Sequence, residues 1–159
     1  MFRTGIGFDV HALAADLSMV IGGVQISHTK GLLGHSDADV LVHAVMDAIL
    51  GALVLGDIGQ HFPDTDSKFH GANSLELLSH VRDLAAEKGF VCANLDSIII
   101  AEKPKMGPHI EKMRKNLASA LKISTAQVSI KATTTDRLGF IGREEGIAAQ
   151  AIVLLHSIN

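Results

Sequence analysis

Residues 5–11 read GIGFDVH, and their alternation sets the first element of the fold. Ile6, Phe8 and Val10 fall on one side, and Gly7, Asp9 and His11 on the other. A period of two marks a β-strand with an apolar face and a polar face. Residues i and i+2 of a strand project together, so Asp9 and His11 aim into the same space. Gly7, on that face, leaves room for a close approach.

Downstream, residues 19–27, MVIGGVQIS, predict a hairpin whose Gly22-Gly23 supplies positive φ in the turn. Residues 28–35 read as a loop punctuated by Gly31, Gly34 and His35. From Ser36 the period becomes helical: Val40, Leu41, Ala44, Val45, Ala48 and Ile49 recur at spacings of three and four, with Ser36 or Asp37 as the expected N-cap and an end near 51–56. Residues 57–72, DIGQHFPDTDSKFHGA, predict an irregular loop, and loops of that length are commonly functional. A second helix is expected over 73–88, capped by Asn73 or Ser74 and ended by Gly89. A strand follows over 90–101, a loop marked by Pro104 and Pro108, and a third helix to about Leu121. Strands at 127–132 and 147–155 flank a Thr- and Gly-rich loop. The order predicts a single domain over 1–159: a two-layer α+β sandwich with a mixed four-stranded sheet covered by helices on one face, plus a β-hairpin.

The 159 residues are 47% hydrophobic and 19% charged, which suits one domain with one core. Trp and Tyr are absent, so the core must be aliphatic. A net charge of −3 without a basic run argues against nucleic-acid binding. The single cysteine, Cys92, excludes an intrachain disulfide and reads as a small buried hydrophobe. The start, MFRTGIGFDVHAL, has no signal-peptide pattern, and the most apolar window, 40–55, is interrupted by His43, Asp47 and Gly51. A soluble, cytoplasmic protein without membrane partners is expected.

Four clusters carry candidate chemistry. Asp9 and His11 are a metal-ligand pair or simply a solvated strand face. In HSDADVLVH (35–43), His43 lies one helical turn after Asp39, which would orient its imidazole; a histidine satisfied within the core is the competing reading. One carboxylate and two imidazoles would leave a coordination position open, the pattern of catalytic Zn²⁺, although Fe²⁺ or Mn²⁺ fits as well. The acids of DIGQHFPDTD (57–66) suit a divalent ion or polyol hydroxyls, or else a solvated turn. In KATTTDRLGF (131–140), threonines beside cationic residues present donors to phosphate, or else form a strand running into a turn.

The strings GFDVH, HSDADVLVHA, LGDIGQHFPDTD, PKMGPHI and KATTTDRLGFIGREEG together resemble the methylerythritol cyclodiphosphate synthase family of the non-mevalonate isoprenoid pathway, in order and across nearly the whole chain. The resemblance implies a homotrimer with active sites between subunits, and a metal-assisted intramolecular phosphoryl transfer on a diphosphocytidyl substrate. It implies Zn²⁺ or another divalent transition metal at Asp9, His11 and His43, and Mg²⁺ or Mn²⁺ bridging the diphosphate at Asp136. His35 and Asp136 would be the catalytic side chains. His35 and Ser36 would contact the erythritol phosphate; Asp57, Ile58 and Gly59 would hold its hydroxyls; Phe62, Asp64 and Asp66 would close over it. Ala101, Pro104, Lys105 and Met106 would line a cytosine pocket, Thr133, Thr134 and Thr135 would hold the nucleotide phosphates, and Phe140 would lie beside substrate. Arg143, also assigned to ligand binding, would stand with Glu145 near the threefold axis, where an isoprenoid diphosphate would enter the channel. Three positions depart from the family pattern: Asp136 for an expected Glu, His70 for a lysine, and Gly107 for a larger apolar residue. A metal-dependent phosphodiesterase using the same ligands is the alternative reading, and a non-enzymatic trimeric binding module is a third.

Overall fold

The alternation of residues 5–11 extends both ways into a 14-residue strand, β1 (Phe2–Ala15). The computed structural model describes residues 1–158. After β1 come β2 (Met19–Ile21), β3 (Val24–Ile26), β4 (Lys30–Leu32), α1 (Val40–Ala52), α2 (Ile58–His61), α3 (Ser74–Glu87), β5 (Phe90–Ile100), α4 (Ile110–Leu121), β6 (Val128–Thr133), α5 (Gly139–Gly142) and β7 (Gly146–Ser157).

The main sheet runs β4-β1-β7-β5-β6 and is mixed: β5 and β6 are parallel, while the other neighbours are antiparallel. It has five strands where four were expected. The fifth, β4, lies in the segment read as a loop and pairs Leu32 with Leu13. Residues 57–72 are likewise more ordered than a loop, holding α2 and a 3₁₀ turn at Ser67–Phe69. The β2–β3 hairpin forms as expected, with Gly22 at φ 57° and Gly23 at φ 67°.

The two faces of β1 are used in the opposite sense to the one its letters suggest. The apolar Ile6, Phe8 and Val10 are 61%, 55% and 42% exposed. The glycine side faces the helices instead. A Cβ on Gly7 would come 1.9 Å from the carbonyl oxygen of Ala44, and one on Gly5 would come 1.9 Å from that of Ala48. The room at Gly7 is therefore filled by the backbone of α1, which lies in van der Waals contact along β1. That contact leaves α1 buried on almost every side, from Val40 to Ala52. Leu41, Met46, Ile49 and Leu50 of α1, Leu78 of α3, Leu117 of α4 and Val153 and Leu155 of β7 build the aliphatic core, each contributing about 1.5–3 kcal/mol by burial. Cys92 joins this core.

The cap of α1 is Asp39, not Ser36 or Asp37. Its carboxylate accepts from Val42 N at 3.1 Å and also reaches across to the hairpin turn, to Gly22 N at 2.9 Å and Gly23 N at 2.6 Å. Asn73 caps α3 as expected. Among the described residues no helix is long and apolar enough to cross a membrane.

Candidate active site

The close packing of β1 on α1 carries His43, in the first turn of the helix, to the strand face that holds Asp9 and His11. Asp9 Oδ2 lies 3.0 Å from His11 Nε2 and 3.1 Å from His43 Nδ1, and the two ring nitrogens are 3.1 Å apart. On the far side of its ring, His11 Nδ1 is 2.8 Å from the carbonyl of Leu33. A carbonyl only accepts, so Nδ1 carries a hydrogen, and in the neutral ring Nε2 turns a lone pair to the site. Three N and O donors thus converge, and they form the candidate metal-binding group among the described residues. A tetrahedral ion with bonds of about 2.1 Å needs donor separations of about 3.4 Å, so these residues fit a divalent ion after an outward shift of a few tenths of an ångström.

The electrostatics point the same way. Burial alone would raise the pKa of Asp9, but hydrogen bonds and charge from His11 and His43 outweigh it and hold the carboxyl well below its usual range. Burial would lower His11, but the hydrogen bond and charge of Asp9, with the Leu33 carbonyl, raise it above 6.5. The group attracts positive charge, which a proton or a metal ion can satisfy.

Asp39 does not orient His43. Its carboxylate is occupied by three backbone N–H groups, and full burial pushes its pKa up to about 6 despite them. His43 Nε2 instead meets Ser74 Oγ at 3.0 Å and Ser36 Oγ at 3.1 Å. The sequence reading missed Ser74 because it lies 31 residues away on another helix. Asp47 was missed too. One turn beyond His43, it accepts from Ile58 N at 2.8 Å and ties the start of α2 to α1.

The other expected site residues separate into two clefts. His35, Ser36, Ile58, Gly59, Phe62 and Asp64 share with the Asp9–His11–His43 group a cleft of about 380 Å³. Asp57 caps α2, accepting from Gln60 N at 3.0 Å. Asp66 caps the 3₁₀ turn, and its carbonyl lies 3.4 Å from His35 Nε2. His70 packs edge-on against His35, with ring centroids 5.2 Å apart. Ala101, Pro104, Lys105, Met106, Thr133 and Thr134 line a second cleft of about 370 Å³, which also includes Gly107. Beside it, Glu102 accepts from Thr135 N (2.9 Å), Thr135 Oγ1 (3.1 Å) and Arg137 N (3.2 Å). These bonds lower its pKa and pin the turn in which Asp136 (φ 51°) and Arg137 (φ 65°) are left-handed. Glu102 was not singled out from sequence. Asp136 stands exposed on that turn. Phe140 sits in α5, and Arg143 is paired with Glu145 at 2.9 Å.

With this geometry in place, comparison with known proteins gives a consistent picture. Residues 2–156 match the YgbB family. The chain is 60% identical over 153 residues to the 2-C-methyl-D-erythritol 2,4-cyclodiphosphate synthase of Agathobacter rectalis, covering 96% of this chain and 86% of that one. Among solved structures it superimposes on the bifunctional IspDF of Campylobacter jejuni with a TM-score of 0.96 at 46% identity, matching all of this chain and 43% of that longer one. It also superimposes on IspF of Plasmodium falciparum in a CDP complex, with a TM-score of 0.88 at 34% identity over 99% and 97% of the two chains.

Proposed function

The chain belongs to the YgbB family, and we propose on that footing that it converts 4-diphosphocytidyl-2-C-methyl-D-erythritol 2-phosphate into 2-C-methyl-D-erythritol 2,4-cyclodiphosphate and CMP, a lyase step of isoprenoid biosynthesis. The observation that carries this reading is the convergence of Asp9 Oδ2, His11 Nε2 and His43 Nδ1 at the floor of a cleft. The first relative's name and the CDP bound to the second structural neighbour supply the substrate class.

An oxygen of the 2-phosphate attacks the β-phosphorus and closes the ring. The bond from that phosphorus to the bridging oxygen breaks, and CMP leaves with the electron pair. Both reacting groups are anionic, so the barrier is one of placement and charge. Asp9, His11 and His43 would hold a Zn²⁺-like ion, which would supply Lewis-acid polarisation, and Asp136 would hold Mg²⁺ or Mn²⁺, which would neutralise charge on the departing CMP.

The remaining work belongs to the chain's own groups. His35 and Ser36 donate to the 2-phosphate, and Asp57 and the Ile58–Gly59 backbone hold the erythritol hydroxyls. Phe62, edge-on to Phe69 at 5.3 Å, covers them with Asp64 and Asp66. Ala101, Pro104, Lys105 and Met106 take the cytosine, and Thr133, Thr134 and Thr135 take the phosphates. Phe140 borders the substrate. These groups divide between two clefts of one chain, and the apolar face of β1 is open. Both features support a homotrimer in which neighbouring chains complete each site. Arg143, near the axis of that assembly, would meet an isoprenoid diphosphate, with Glu145 already taking part of its charge.

The test is release of CMP from the diphosphocytidyl substrate with Zn²⁺ and Mg²⁺ supplied. We expect turnover by the wild-type protein. In His43→Ala, turnover and the stoichiometric ion should both be lost while the melting transition is kept. Undiminished CMP release by that variant contradicts the proposal.

A further inference from the structure

We propose that Asp37 and Ser74 are positioning residues that act through His43, as a carboxylate–hydroxyl relay fixing which ring nitrogen faces the metal. The inference rests on the metal reading above. Ser74 opens α3 and is fully buried, and its hydroxyl hydrogen-bonds to Asp37 Oδ1 while its backbone N–H donates to Asp37 Oδ2 at 3.0 Å. Asp39 N donates to Asp37 Oδ1 as well, at 3.2 Å. The Asp37 carboxylate is thus an acceptor in all three of these contacts.

The polarity of the chain follows from counting hydrogens. A serine has one hydroxyl hydrogen, and that of Ser74 is spent on Asp37. The oxygen that Ser74 turns to His43 Nε2, 3.0 Å away, can then only accept, so Nε2 carries the ring hydrogen. The neutral ring has a single N–H, which leaves Nδ1 with a lone pair, 3.1 Å from Asp9 Oδ2 and from His11 Nε2. Ser36 Oγ, 3.1 Å from Nε2, accepts from Ala38 N at 3.3 Å. It shares Nε2–H as an acceptor and keeps its own hydrogen for the cleft. His11 is set the same way by the Leu33 carbonyl, in the mirrored tautomer. Both rings are therefore committed before an ion arrives. Groups behind metal-bound histidines typically govern affinity by 10–100-fold. Satisfying the first free amide of α3, beside the Asn73 cap, explains the bond from Ser74 N to Asp37 alone; it does not require the buried hydroxyl to bridge to His43.

Two measurements test this. For Ser74→Ala and Asp37→Asn, Co²⁺ and Zn²⁺ affinity measured by competition with a chromogenic chelator should fall about 10–100-fold, with the melting transition retained. In ¹⁵N-labelled, metal-free wild-type protein, long-range ¹H–¹⁵N correlations of the neutral His43 ring should place the hydrogen on Nε2. This second measurement needs no variant and decides the matter if Ser74→Ala does not fold. A hydrogen on Nδ1, or unchanged affinity in both variants, overturns the relay while leaving the metal site standing. A wild-type protein that takes up no divalent ion overturns the metal reading, and the relay with it.

Discussion

His43 is where the chain's distant parts meet: Asp9 and His11 reach it from β1, Ser36 from the loop before its own helix, and Ser74 from α3. The strand's period of two was enough to show that Asp9 and His11 aim together. Nothing in the local pattern could bring His43 to them, because that contact spans 34 residues and depends on packing. The one-turn spacing from Asp39 to His43 misled for a physical reason. A carboxylate at an N-cap lies beside free amide hydrogens, and Asp39 found three of them before it could reach an imidazole. Cys92 followed its reading as a small buried hydrophobe in a strand. Burial raises its thiol from 9.0 to about 11, so its thiolate fraction near pH 8 falls about 100-fold. Iodoacetamide at pH 8 should leave Cys92 unmodified in the native protein and alkylate it in denaturant; rapid labelling of the native chain would show that the site is open.

The long helices and long strands were legible because each carries its own period. The short β2–β3 hairpin was legible from Gly22-Gly23, but β4 and α2 were not, since β4 exists only by pairing with β1, and α2 is held at its start by Asp47 and by its cap Asp57. The pair that matters most is β1 with α1. Gly7→Ala would drive a methyl group into the Ala44 carbonyl, and the strand and helix would have to part. That should cost about 3 kcal/mol, read from the denaturation midpoint, and should weaken divalent-ion binding, because Asp9 and His11 ride on one partner and His43 on the other. A variant as stable and as tight for metal as the wild type would mean that the contact is slack.

At the scale of the whole molecule, one sheet face is covered by helices and the other presents Ile6, Phe8, Val10 and Ile152 to solvent in a single chain. The alternation of β1 showed that an apolar face exists. It could not show that the glycine side would be the buried one, since that choice was made by how closely α1 could approach. The open face and the two separate clefts are both accounted for if copies associate. If the proposed reading holds, mixing His43→Ala chains with Asp136→Ala chains should then restore part of the activity that neither variant has alone, as hybrid assemblies form sites in which both residues are intact. No recovery after demonstrated subunit exchange would place each complete site within one chain. The chemistry itself is tested most directly by running the reaction in H₂¹⁸O. If an internal phosphate oxygen closes the ring, CMP appears together with a cyclic diphosphate that carries no ¹⁸O; an ¹⁸O-labelled, ring-open phosphate product would mean that water is the nucleophile and that the protein is a phosphodiesterase.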